Sequence, residues 1–375
     1  MGTPRKLNIG ILTSSRADYG IYLPLLRKLK IDGLHSVQLI AFGTHLSKKH
    51  GFTIDEILRD GFIVAHKIET TPEEDSAEAI TKSMGETMEK FSLLWSKHAN
   101  DFDVIFCLGD RYEMFAAVAS TAPYNLKLAH LHGGETTLGA IDNAFRHSIT
   151  QFSSIHFTST EQYAERVRSM IDDKLHVYPV GALGLDHFNQ QKMMTHAEIQ
   201  AKFNIEVDEK TILCTFHPET ISPEKNEGYA KEIIETFHQI KSHRVVITLP
   251  NADTSGNTIR SLFNEAFGHS EKVSLVENLG TAGYLSAMNA CAMMFGNSSS
   301  GIIEAASLGK YVIDIGDRQK GRAHGDNVIH CEIEKQKMLA AIESIASRPQ
   351  LSHNNIYYMG GATEKIIERI ESVLC

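Results

Sequence analysis

Along most of this chain, a short apolar run rich in β-branched residues is followed by a longer stretch with apolar positions three or four apart. The short runs are Leu7–Leu12, Val37–Phe42, Val104–Leu108, Lys127–Leu131, Ile155–Thr158 and Leu175–Val180. Apolar runs of that length, bounded by turn residues, predict buried strands. Between them, Ile21–Leu29, Ala77–Ser96 and Thr160–Met170 carry the helical period. A second series has strand-like runs at Ile212–Phe216, Arg244–Leu249, Val273–Val276, Cys291–Phe295 and Tyr311–Ile315. Its helices are predicted at about Glu227–Lys241, Asn257–Phe267, Thr281–Asn289 and Gly301–Leu308. Alternation of this kind predicts parallel sheets with right-handed crossovers. Two such series predict an α/β chain of two Rossmann-like domains.

A chain of 375 residues is also long for a single core. The expected boundary is near Pro179–Gly184, whose glycines would let the halves hinge. The domains are then 1–180 and 181–360, with a terminal segment 361–375. Its helix, about Thr363–Leu374, could pack on either domain and is assigned to the N-terminal one. Open parallel sheets put chemistry at the carboxyl ends of their strands, so the residues following each run carry the functional reading.

The richest such segment is Leu128-Ala-His-Leu-His-Gly-Gly-Glu135, followed by Ile141-Asp-Asn-Ala-Phe-Arg-His147. His130, His132, Glu135, Asp142, Arg146 and His147 crowd one turn and one helix start. Asp142 and Arg146 are four apart, and a surface ion pair would account for them. Glu135 beside two glycines has no comparable structural role. Carboxylates grouped there could titrate near neutrality and move protons. Asp110 and Arg111 end a neighbouring strand. They form either a capped and paired helix start or a functional pair, and the shared sheet edge favours function.

Three further segments suit a nucleotide. Ser14-Ser15-Arg16 ends the first strand, although a serine-capped helix explains it as well. His217, after Ile212–Phe216, is expected to touch a ligand. Gly296-Asn-Ser-Ser-Ser-Gly301 leads into a helix and is predicted to cradle a diphosphate on helix amides. Glu304 would then accept from ribose hydroxyls, and Arg318 would neutralise phosphate.

Composition narrows the classes. With 42% apolar and 22% charged residues, the chain reads as an ordinary globular protein. A net charge of -9 disfavours nucleic acid and anionic lipid as partners. No apolar run approaches the roughly 20 residues of a membrane helix. No secretory leader is read at the N-terminus, so a cytoplasmic setting is expected. The five cysteines form no CxxC pair and read as free thiols. The absence of GxGxxG disfavours a nicotinamide cofactor, and no HExxH-like spacing supports a metal.

Taken as an ordered set, these segments resemble the UDP-N-acetylglucosamine 2-epimerase family, and specifically its hydrolysing branch. The resemblance rests on Ser15-Arg16-Ala17-Asp18-Tyr19, Gly109-Asp110-Arg111, His132-Gly-Gly-Glu135, Ile141-Asp142 with Arg146-His147, and His217-Pro218. It continues through Pro250-Asn251, Gly296-Asn-Ser-Ser299, and Gly316 to Gly321 with Arg318. It implies a GT-B-like pair of Rossmann-like domains facing a cleft that takes a UDP-sugar. By position, it implies nucleotide contacts at Arg16, His217, Ser298, Ser299, Glu304 and Arg318. It implies catalytic roles for Asp110, Glu135 and Asp142, with His132 beside them. Arg111, Arg146 and Asn251 would line the sugar side of the cleft.

The reaction implied is anti elimination of UDP, followed by hydration of a glucal to a free manno-configured sugar, with no metal or other cofactor. Position 132 departs from many relatives, which carry glutamate there. His132 is then either a proton relay or structural. The implied substrate is UDP-N-acetylglucosamine or UDP-2,4-diacetamido-2,4,6-trideoxyglucose, on a route to sialic or legionaminic acid. A homo-dimer or homo-tetramer is expected. Rival readings are a non-hydrolysing 2-epimerase, a GT-B glycosyltransferase and a binding protein without turnover. The Gly133-Gly134-Glu135 turn and Asp142-Asn143 favour hydrolysis.

Overall fold

A computed structural model of the protein describes residues 5–48, 51–72, 76–138, 141–171, 175–187, 192–219, 221–250 and 254–375. The chain divides into two units, one of residues 1–135, 142–189 and 357–375, the other of 136–141 and 190–356.

The first unit holds β1 (Asn8–Thr13), β2 (Ser36–Phe42), β3 (Val64–Ile68), β4 (Val104–Leu108), β5 (Leu128–Leu131), β6 (Ile155–Thr158) and β7 (Val177–Pro179). All pair in parallel, in the order β3-β2-β1-β4-β5-β6-β7. Its helices are α1 (Arg16–Asp32), α2 (Ile54–Arg59), α3 (Ala77–His98), α4 (Tyr112–Ala119), α5 (Asp142–Phe152) and α6 (Glu161–Met170). The second unit holds β8 (Thr211–Thr215), β9 (Arg244–Thr248), β10 (Val273–Val276), β11 (Met293–Gly296), β12 (Val312–Ile315) and β13 (Val328–Cys331). These are also parallel, in the order β10-β9-β8-β11-β12-β13. Its helices are α7 (His196–Phe203), α8 (Asn226–Gln239), α9 (Thr254–Phe267), α10 (Gly280–Ala290), α11 (Ser299–Ile303) and α12 (Lys335–Ile345). The last helix, α13 (Ala362–Leu374), belongs to the first unit.

Successive residues of a strand point to opposite faces of its sheet. Ile9, Ile11, Phe106 and Phe157 therefore pack under α1 and α13, where Ile366 and Ile370 meet Leu25 and Leu26. Leu12, Ile40, Ile105 and Cys107 pack on the other face against Phe91 and Trp95 of α3 and Met114 of α4. The start of α13 is capped by Asp186, whose carboxylate accepts from the amides of Ala362 and Thr363 at 3.2 and 2.7 Å.

The segment Pro179–Gly184 lies inside the first unit rather than at its border. Ala182 N–H donates to the Tyr357 carbonyl at 2.8 Å, so this stretch receives the returning chain. Gly181 answers a close approach there, since a Cβ would stand 3.0 Å from that carbonyl oxygen. Two strands were not anticipated from the sequence pattern, β3 and β13. Both are edge strands, with exposed or half-exposed alternate positions and no continuous apolar run.

Two of the buried histidines of the first unit, His45 and His130, bear on its pH dependence. His45 joins Thr13 and Thr53 at 2.9 Å each, and burial pushes it down to about 4. Burial likewise pushes His130 down to about 3. In the unfolded chain each titrates near 6.5, so there they bind protons that the folded state refuses. Stability should therefore fall as pH drops from about 6.5 toward 4, each histidine contributing up to about 1.4 kcal/mol per pH unit. Urea unfolding at stepped pH values checks this. His130→Gln should remove about one proton from the slope.

Candidate active site

The first unit's sheet reverses its winding between β1 and β4, and polar loops leave the carboxyl edge there and at β5 and β6. Asp110 follows β4, and its carboxylate is ion-paired with the guanidinium of Arg146 from α5. The Arg146 side chain is only 3% exposed. Its Nη1 also donates to the Glu135 carbonyl at 2.9 Å and to Asn143 Oδ1 at 3.2 Å. One buried cation thus joins the loops after β4 and β5. A surface ion pair with Asp142 was one reading of Arg146, which was also expected to line the sugar side of the cleft; its side chain is buried rather than at the surface. Asp110 was weighed as pairing with Arg111, and this is corrected too. Arg111 Nε donates to Glu113 Oε1 at 2.5 Å. Asp142 opens α5, where a carboxylate complements the helix dipole.

The turn after β5 is tightly built. Gly134 has φ 78°, and a Cβ on it would lie 2.6 Å from the Tyr163 carbonyl oxygen, so only glycine fits. His132 sits at φ 63°, in the left-handed region. Its Nδ1 meets Glu135 Oε1 at 2.7 Å. The same oxygen accepts from Ser159 Oγ, just past β6, at 2.7 Å. Glu135 is buried, with 1% exposure. Behind it, His130 Nε2 lies 3.0 Å from the Gly109 carbonyl and Nδ1 lies 3.2 Å from Thr150 Oγ1. A carbonyl only accepts, so Nε2 carries the proton. His130 is therefore neutral and spends both nitrogens on holding the β4 and α5 segments. His147 on α5 is half-buried, and burial lowers its affinity for a proton.

In the second unit the winding reverses between β8 and β11. Asn297, fully buried after β11, binds the His217 backbone twice: it accepts from the amide at 2.7 Å and donates to the carbonyl at 2.8 Å. The Asn297 carbonyl accepts from Arg318 Nη1 at 3.2 Å and Gln319 Nε2 at 2.8 Å. His217, the serine loop and Arg318 are thereby brought together at one sheet edge. Burial, then the Arg318 charge, push His217 down to about 3, so its ring is neutral. Ser298 caps α11, accepting from the Ser300 amide at 3.4 Å, and its Oγ lies 2.9 Å from Ser300 Oγ. Ser299 begins α11, and Glu304 stands at its C-terminal end. The expected helix Gly301–Leu308 is corrected to five residues of α11 and a 3₁₀ turn at Ala305–Leu308. So short a helix carries little dipole, so the serine hydroxyls, the loop amides and Arg318 are the polar groups gathered at this edge.

Arg16 is exposed at the start of α1 in the first unit, next to Ser15, which caps that helix. Asn251 lies outside the described residues. Sequence reasoning missed Ser159, Glu219 and Tyr284. Ser159 follows a predicted strand, so the strand-end rule could have found it. Glu219 is buried and accepts from the Asp317 amide at 2.9 Å, fixing the loop that carries Arg318. Tyr284 sits in mid-helix, where no local signal exists. Its hydroxyl lies 2.8 Å from Ser300 Oγ and 3.1 Å from Thr215 Oγ1, and burial pushes it up to about 12. Among the described residues no group of three or more His, Cys, Asp or Glu side chains could hold a metal ion.

The architecture has close counterparts. A crystal structure of UDP-GlcNAc 2-epimerase from Neisseria meningitidis, bound to UDP-GlcNAc, superposes with a TM-score of 0.83, covering 98% of this chain and 100% of that one at 16% identity. The chain thus has the GT-B-like class of fold, with two Rossmann-like units. GDP/UDP-N,N'-diacetylbacillosamine 2-epimerase (hydrolyzing) from Campylobacter jejuni is 34% identical over 329 residues, 88% of this chain and 85% of the relative. UDP-N,N'-diacetylbacillosamine 2-epimerase (hydrolyzing) from Legionella pneumophila is 29% identical over 363 residues, 96% of this chain and 95% of the relative. The family model for UDP-N-acetylglucosamine 2-epimerase matches residues 27–371. On sequence and fold together, this chain belongs to the UDP-N-acetylglucosamine 2-epimerase family.

Proposed function

We propose that this protein is a hydrolysing UDP-sugar 2-epimerase that releases UDP and a free manno-configured N-acetyl sugar. The observation that carries the reading is the near full-length similarity to relatives named for that hydrolysing reaction. Their names also favour UDP-N,N'-diacetylbacillosamine, which is UDP-2,4-diacetamido-2,4,6-trideoxyglucose, as substrate. UDP-N-acetylglucosamine is the second candidate. Sialic or legionaminic acid synthesis in the cytoplasm, by a homo-dimer or homo-tetramer, goes with this reading.

The chemistry suits the groups described. A proton beside an acetamido carbon is a weak acid, so its acceptor must be close and desolvated. Asp110 and Glu135 serve the elimination, with His132 beside them, and Asp142 serves the hydration. Arg111 and Arg146 line the sugar side. Arg146 keeps Asp110 ionised by direct pairing. In the second unit, Ser298, Ser299, Glu304 and His217 hold the nucleotide, and Arg318 stabilises the charge that grows on the departing diphosphate.

Incubating the protein with either UDP-sugar should yield UDP and the free sugar, read by NMR. A product retaining UDP would instead mark a non-hydrolysing epimerase, and UDP release only with an added acceptor a transferase. Asp110→Asn should lower kcat by about 100-fold or more while UDP still binds, as calorimetry would show. Arg318→Ala should weaken UDP binding by about 10- to 100-fold, since it deletes a charged hydrogen bond to phosphate.

A further inference from the structure

Glu135 is held in a way that suits a carboxylate which orients another group. Its Oε1 accepts from Ser159 Oγ at 2.7 Å and faces His132 Nδ1 at 2.7 Å. An ionised carboxylate has no proton to give, so Nδ1 must carry the ring proton of His132. That leaves a lone pair on Nε2. Nε2 is buried and has no hydrogen-bond partner among the described residues. Buried nitrogens without a partner are rare in folded proteins, and each calls for an explanation. The backbone adds a second sign. His132 is held at φ 63°, a conformation costly for a residue with a Cβ and typical of functional turns. His130 differs sharply, since both its nitrogens have partners.

We propose that His132 takes the C2 proton in the elimination, and that Glu135 and Ser159 are positioning residues acting through it. This rests on the hydrolysing-epimerase reading above. The Nε2 lone pair binds the C2 proton. The electron pair of the C2–H bond becomes the second bond between C1 and C2. The C1–O bond breaks, and its pair leaves on the β-phosphate oxygen of UDP. The imidazolium that results faces the Glu135 carboxylate, and its proton passes to solvent before the next turnover. Among the described residues, the charged and titratable groups around the turn include Glu135 itself, Arg146 of α5, which binds the Glu135 carbonyl and pairs with Asp110, Arg166 of α6, which binds the Gly134 carbonyl at 3.4 Å, and the buried His156 of β6, which acts on His130. His130 of β5 stays neutral beside them.

The test uses the full chain with UDP-N,N'-diacetylbacillosamine and UDP-N-acetylglucosamine as probes. In ¹⁵N spectra at pH 7.5, the histidine signal lost in His132→Gln should show a protonated Nδ1 and a bare Nε2. The opposite tautomer would overturn the proposal without any turnover being measured. His132→Ala should lower kcat by about 100- to 10,000-fold with KM little changed, and added imidazole should restore part of it. Ser159→Ala removes a donor from Glu135, so the carboxylate holds the imidazolium more strongly. The acid limb of kcat/KM should move to higher pH, and Ser159→Thr should return it. A folded His132→Ala with wild-type kcat refutes the assignment. So does a Ser159→Ala that loses rate with its acid limb unmoved. Wild-type protein that releases no UDP from either sugar fails at the functional reading itself, and the proposal goes with it.

Discussion

In the first unit, the guanidinium of Arg146 lies almost wholly out of water, between an aspartate and a backbone carbonyl. Among the described residues it is the cation shared by the loops after β4 and β5, so their relative placement depends on it. Removing Asp110 would leave the buried guanidinium without its carboxylate, although Asp110 itself is partly exposed. The pair therefore holds Asp110 in place and sets the path of the chain into Glu135. The same contact is structural in its energetics and functional in its consequence.

The second unit solves the same problem without charge. Asn297 replaces a stretch of missing sheet by bonding both backbone groups of His217. Its own carbonyl then gathers Arg318 and Gln319. A neutral amide gathers these groups without adding a negative charge of its own. Glu219 supports the loop from behind, where its carboxylate meets the Asp317 amide.

Histidines divide between these tasks by burial. His130 and His217 lose their affinity for protons chiefly through desolvation, so both rings remain neutral at any physiological pH. His132 differs in standing against a carboxylate, that of Glu135.

The alternation of buried strands and amphipathic helices was legible in the sequence, because a strand covered on both faces must be a continuous apolar run. Val104–Leu108, Ile155–Thr158 and Val273–Val276 kept their residue bounds as β4, β6 and β10. The edge strands β3 and β13 were not legible, since an exposed alternate position looks like loop. The candidate site was legible as far as strand ends announce themselves: Asp110, Glu135, His217 and the serine loop. Which of these touch was settled by the tertiary structure alone. Arg146 pairs with Asp110, 36 residues away, and Ser159 reaches Glu135 across 24. Local spacing dictates which residues share a turn or a helix face. Partners brought together by neighbouring parallel strands are chosen by sheet order, and no spacing within the chain records that order.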